Sequence, residues 1–408
     1  MHFPSERVYK EMRSENASLW IVPANGGSEL ALLIKAPSSA IKALITGCSL
    51  DILFGKKGPY LSTGVRILDM PDAPMLIAGI QREREEHEAL ARLLVEKQIP
   101  VFLFNEMDVC LAWTNLAITE TDASQVAFLI EQKPDLYVGE FSAECSHVLD
   151  CFCYSSDLSH TYANAVQIPL VIINASLEPW RTNKVNFIGN RGYQTIIIDD
   201  QNEGEIFERA IWASLESVFP LTLHKGPQVK IAEKLREFTD VLAFHEYGSF
   251  LIEAKDLSVI QAGYKRDQER RTKGVQKQIM KAIGQLRGAC KALANGNRIF
   301  ATTGEELDVV RDKPPHCIVL ITELMHWGDW HDIEKQFMEA MQSTGAFFHL
   351  LDLREFIELL KGSRGNALLF DYNLMERCKL FLKNGSVHIR SQMPSNPSVQ
   401  GTSPDKAS

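Results

Sequence analysis

Asp240, Glu253 and Lys255 are the residues whose types and spacing are best suited to chemistry. They punctuate the run TDVLAFHEYGSFLIEAK at positions 239–255. Two apolar stretches flank His245-Glu246-Tyr247-Gly248, a turn-like break, so the run reads as a β-hairpin. Strand side chains alternate faces, which puts Glu253 and Lys255 on one face and Ala254 on the other. A turn centred between Glu246 and Tyr247 sets Asp240 opposite Glu253, with Gly248 free to take positive φ. Directly opposed Cβ atoms lie roughly 5 Å apart. Two carboxylates at that spacing can share one hard cation, and the lysine reaches the same pocket. Placing these charges at the ends of apolar strands costs desolvation energy. A cation and a phosphate would offset it.

This pattern resembles the active site of the PD-(D/E)xK, or restriction-endonuclease-like, nuclease superfamily. The match is Asp240, Glu253 and Lys255, with Thr239 where the superfamily's proline would stand. The resemblance implies that Asp240 and Glu253 hold Mg²⁺ (or Mn²⁺). It also implies that Lys255 orients the attacking water or neutralises charge on the phosphate. It spans about residues 204–295 and implies nucleic acid as partner, DNA by preference.

The elements that must position these residues are legible on both sides. Upstream, GEIFERAIWASLESVF (204–219) reads as an amphipathic helix with Phe207, Ile211, Leu215 and Val218 at helical spacing. The superfamily's first helix often adds a glutamate to the metal site; Glu208 is the candidate here, with Glu205 its rival. Downstream, Val275, Ile279, Ile283, Leu286, Cys290 and Leu293 form the stripe of a long helix. Relatives place a glutamine on this helix near the lysine, and Gln278 or Gln285 could take that part.

The same downstream segment is basic. Residues 265–298 hold ten Lys/Arg and two acids, +8 in a chain of formal net charge −9. Lys273, Lys277, Lys281 and Arg287 are the candidate phosphate contacts on this positive stripe.

The 408 residues predict at least two domains. Residues 1–200 read as an α/β domain of unknown role, a candidate sensor or a surface for a partner protein or a second copy. Residues 201–390 read as a nuclease-like α/β domain with a mixed central sheet flanked by helices, and 391–408 as a disordered Pro/Ser tail. No stretch of 18 apolar residues predicts a membrane span, and the first twenty residues lack a signal-peptide core. The eight cysteines are scattered rather than framed for disulfides, so a cytoplasmic protein is expected.

Smaller features complete the reading. In ECSHVLDCFC, Cys145, His147, Cys151 and Cys153 are crowded, and Cys151 and Cys153 alternate as in a strand. Buried thiols are expected rather than a zinc site. The charged-then-apolar stretch between Met75 and Phe104 predicts a helix within a βαβ unit. GKKGP at 55–59 lacks phosphate-loop spacing and reads as a turn. Asp69, Asp72, Glu106 and Asp108 form no site by spacing. Past the basic helix, a β-α-β-α pattern (317–361) is expected to extend the sheet that carries Asp240. His316, His326, His331 and His349 receive no ligand role. The competing function is a nuclease fold without catalysis, acting as a nucleic-acid-binding or scaffold module.

Overall fold

The apolar runs of the first 200 residues pair into two larger, mainly antiparallel sheets and one two-stranded sheet. The computed structural model describes residues 4–157, 162–189, 192–200, 202–246, 248–256 and 267–391. Lys265, Arg266, Tyr247 and the tail from 392 lie outside the described residues. The chain forms two compact units. The first holds residues up to Ala213 together with Ala254–Ile279 and Ile321–Gly328; the second holds Ser214–Glu253, Met280–Leu320 and Asp329 onward. The expected boundary at 200/201 falls inside the first unit.

In the first unit, α1 (Glu6–Ser14) precedes the hairpin of β1 (Ser18–Ala24) and β2 (Glu29–Lys35). α2 (Ser38–Ile45) leads to β3 (Leu50–Lys57) and β4 (Tyr60–Ile67), then β5 (Met75–Gln81), α3 (Arg84–Glu96), β6 (Gln98–Phe104) and β7 (Cys110–Ala117). α4 (Glu120–Glu131), α5 (Ala143–Ser156) and β8 (Leu170–Asn174) follow. Two short strands, β9 (Ser176–Leu177) and β10 (Arg181–Thr182), add to β7, and β11 (Lys184–Gly189) pairs with β12 (Gly192–Ile197). One sheet runs β1-β2-β6-β7-β10, with β2 and β6 parallel; the other runs β5-β4-β3-β8. The core joins both: Ile21, Leu32 and Val101 from one sheet bury with Ile52, Val65 and Ile77 from the other. Each such side chain contributes about 1.5–3 kcal/mol of transfer free energy.

The turn at 55–59 is found as expected, closing β3 to β4 with Gly58 at φ 58°. The βαβ expectation for 75–104 is corrected. β5 pairs with β4 and β6 with β2, so α3 passes from one sheet to the other. The hydrophobic pattern of strand, helix and strand is the same in both arrangements; long-range pairing decides between them. The strand reading of Cys151 and Cys153 is also corrected. Ser142 caps α5 by accepting from the amide of Cys145, and Cys145, Val148, Cys151 and Phe152 bury at helical spacing. The Cys145 and Cys151 thiols are buried as expected.

The second unit is built on the sheet β13-β16-β17-β19-β20: β13 (Leu223–Lys225), β16 (Val241–His245), β17 (Gly248–Lys255), β19 (His316–Ile321) and β20 (Phe347–Asp352). A small sheet of β14 (Gln228–Ile231), β15 (Lys234–Glu237) and β18 (Ile299–Phe300) stands beside this order. Helix α6 (Glu203–Leu215) precedes these strands, and α7 (Gln268–Ala294) follows β17. α8 (His331–Thr344), α9 (Leu353–Ser363) and α10 (Ala367–Asn384) complete the chain. The β-α-β-α pattern does extend the sheet of the hairpin, as expected.

Candidate functional site

The hairpin register sets the candidate carboxylates. β16 and β17 pair antiparallel from His245↔Gly248 back to Val241↔Ile252. One step further, Asp240 comes opposite Glu253. The Thr239 hydroxyl donates to Ile252 O at 2.8 Å across the hairpin, and on the β13 side Gly226 N donates to Asp240 O at 2.8 Å. Thr239, in the proline's place, therefore pins the strand end through its hydroxyl.

Neither carboxylate is a solvated hairpin end. Asp240 is 9% exposed and Glu253 1%. β17 is buried on both faces from Gly248 to Ala254, and only Lys255 opens to partial exposure. This explains why its sequence, SFLIEA, reads as a continuous apolar run broken by one acid. The two faces are covered, so a buried acid needs polar partners or a cation.

The other candidates are placed less uniformly. Glu208 is half-buried on α6. Glu205 is bound to its neighbours instead: Asn202 Nδ2 donates to it at 2.7 Å and Arg209 forms an ion pair with it. Gln278 and Gln285 are both exposed on α7. Gln276, three residues before buried Ile279 and four after buried Thr272, is half-buried, as is Gln268 at the helix start. Its spacing against the apolar stripe carried this signal: Gln276 lies within the stripe's edge, whereas Gln278 and Gln285 turn away from it.

The basic stripe divides. Lys277 and Lys281 are exposed, Arg287 is half-exposed, and Lys273 is exposed but paired with Glu269 at 2.5 Å. Arg271 is drawn inward, where it binds Asp69 at 3.2 Å and Glu323 at 3.0 Å. Asp69, placed in no site by spacing, is thus the partner of a cation from the basic segment. Burial pushes its carboxyl up, and Arg271 works against that push.

Among the described residues no group of three or more His, Cys, Asp or Glu is gathered as a metal would require. A divalent ion at this hairpin would therefore rest on the Asp240–Glu253 pair. That donor set suits Mg²⁺, which takes one or two carboxylates and completes its shell with water and substrate phosphate.

A second polar cluster went unseen in the sequence. His245 Nε2 and His316 Nε2 each donate to Asp371, at 3.1 Å, and His316 Nδ1 meets His349 Nε2 at 2.9 Å. Phe250 stacks between the His245 and His316 rings. Burial pushes the Asp371 carboxyl up, but the His316 and His245 contacts outweigh it and hold the group below the usual range. His349 is driven well below its ordinary value by burial, and by His316 and Arg377 nearby. His245 ends β16, His316 begins β19 and His349 lies within β20, strands of one sheet, so the signal is available only once strand order is known. Comparison with protein-family models, curated proteins and solved structures gives no match to this chain.

Proposed function

We propose that this protein is a metal-dependent nuclease that hydrolyses phosphodiester bonds, with DNA the favoured substrate. The observation that carries the reading is the hairpin register that brings Asp240 opposite Glu253, both buried, with Lys255 on the face of Glu253. The order of elements supports it: a helix, strands β13, β16 and β17 in one sheet, a long helix and a further strand of the same sheet.

Mg²⁺ or Mn²⁺ held by the two carboxylates would supply a Lewis acid for a phosphate oxygen and promote loss of a proton from water. Asp240 and Glu253 are held away from water, and a cation between them would offset the repulsion of two buried carboxylates. Lys255, partly exposed at the strand end, brings a positive charge to the scissile phosphate and opposes the charge that builds in the transition state. Lys277 and Lys281, exposed, and Arg287, half-exposed, would contact flanking phosphates from one helix. Gln276, half-buried where Gln278 and Gln285 are exposed, would take the glutamine's part.

The test is incubation of the full-length protein with plasmid, linear DNA and RNA, in Mg²⁺, Mn²⁺ or EDTA. Cleavage that needs the metal and disappears in Lys255→Ala supports the reading. Cleavage by Lys255→Ala at the wild-type rate would sink it.

A further inference from the structure

Lys42 lies on α2, in the N-terminal α/β region, and its side chain is buried. Its ammonium is 2.7 Å from Asp256 Oδ2 and 3.1 Å from Glu203 Oε2, and both carboxylates are buried too. Asp256 follows Lys255 directly. Glu203 opens α6, five residues before Glu208. One lysine thus ties together the chain beside two of the candidate site residues. The same helix adds a third tie: Ser39 Oγ donates to Glu323 Oε2 at 2.8 Å, and Arg271 Nη2 donates to the same oxygen at 3.0 Å. Thr322 Oγ1 donates to Asp256 Oδ1 at 3.4 Å. α2, α6, the end of β17 and the segment after β19 therefore meet in one buried polar cluster of the first unit.

A buried ion triad is a poor source of net stability. Desolvating three charges offsets most of their attraction, and an apolar or neutral replacement of all three is often as stable. What such a triad enforces is arrangement, since each charge tolerates only the geometry that satisfies it. We propose that Lys42 is a positioning residue through which the N-terminal region sets the candidate nuclease site. It fixes Asp256, and so the Lys255 end of β17, against the first turn of the helix that carries Glu208. The inference rests on the nuclease reading for its consequence but not for its geometry. It gives the N-terminal region a defined role: α2 completes the support of the site, and a ligand or partner that shifts α2 acts on Lys255 through this triad.

The experiment compares wild type, Lys42→Met and Lys42→Arg as full-length proteins, by amide hydrogen exchange and by cleavage kinetics. In Lys42→Met, exchange at Ile206–Arg209 and Ala254–Asp256 should rise about tenfold or more while β1 and β2 stay protected. kcat should fall with KM for nucleic acid unchanged, because the binding cations are untouched. Lys42→Arg should restore both. If Lys42→Met fails to fold, Lys42→Met/Glu203→Gln/Asp256→Asn removes all three charges together and should fold while keeping the kcat loss. Unchanged exchange in Lys42→Met beside an active wild type overturns the clamp and leaves the nuclease. Raised exchange beside a wild type that cleaves no nucleic acid overturns the nuclease reading and leaves the clamp as a structural tie.

Discussion

His316 Nδ1 lies 2.9 Å from His349 Nε2, between buried rings on the neighbouring strands β19 and β20. One proton serves this contact while both rings are neutral. The arrangement makes the second unit sensitive to acid. His349 is held well below its ordinary value, first by burial and then by His316 and Arg377. A base whose folded pKa is depressed binds its proton more readily unfolded. Its contribution to stability is therefore whole above the unfolded value of about 6.5 and is lost as pH falls below it. Urea denaturation at pH 7.5, 6.5 and 5.5 should show stability falling toward about 1.4 kcal/mol per pH unit at the acid end. His349→Gln keeps a donor without the titration and should flatten that slope. An equal slope in the variant would contradict the assignment. Asp371, whose carboxyl is held low, should add its loss only in stronger acid, as pH falls below about 3.9.

The hairpin was legible because its signals are local. Two apolar runs on either side of a short break specify the β16–β17 register, although Gly248 does not take the positive φ expected of it, and the register places Asp240 against Glu253. Helices α6 and α7 were equally legible from one apolar stripe each, although α6 stops at Leu215, short of Val218 and of the expected end at 219. The histidine cluster was not, because His245, His316, His349 and Asp371 converge only through the order of strands in the sheet and the return of α10. Lys42, Glu203 and Asp256 are hidden for the same reason: the pairings span 161 and 214 residues, and each reads alone as an ordinary charge. The inward turn of Arg271 is not legible either, since a count of charges does not tell which face of α7 each occupies.

The buried pair of Arg377 and Glu355 offers a test of the second unit's packing. Arg377 gives one hydrogen bond to Glu355 at 2.9 Å and others to the carbonyls of Leu350 and Ile389. Burial depresses its pKa, to about 10. Arg377→Met should cost about 3–5 kcal/mol by leaving Glu355 a buried charge without its cation. Arg377→Met/Glu355→Gln should recover part of that. Chemical denaturation reads both, and a single variant as stable as wild type would contradict the pairing.

The exposed cations of α7 predict a salt dependence. Binding of duplex DNA should weaken with salt at a slope of log K of roughly −0.9 per phosphate neutralised. Lys277→Glu/Lys281→Glu should weaken binding to all sequences alike and flatten the slope by about two units. Unchanged affinity and slope would return these lysines to the class of solvated surface charges.

Metal binding should appear as stabilisation. A cation that binds only the folded hairpin raises stability by RT ln(1 + [L]/Kd), about 2.7 kcal/mol at a hundredfold excess over Kd. Mg²⁺ should therefore raise the melting temperature of wild type and leave that of Asp240→Ala unmoved. An equal rise in both would place the ion elsewhere.

The pairing of Asp240 with Glu253 is tested most directly by Glu253→Gln, which keeps the side chain's size and removes its charge. Cleavage of plasmid by the full-length protein in Mg²⁺ should fall at least about a hundredfold in this variant, with DNA affinity retained and calorimetric Mg²⁺ binding lost. Glu253→Gln protein that cleaves at the wild-type rate would contradict the account.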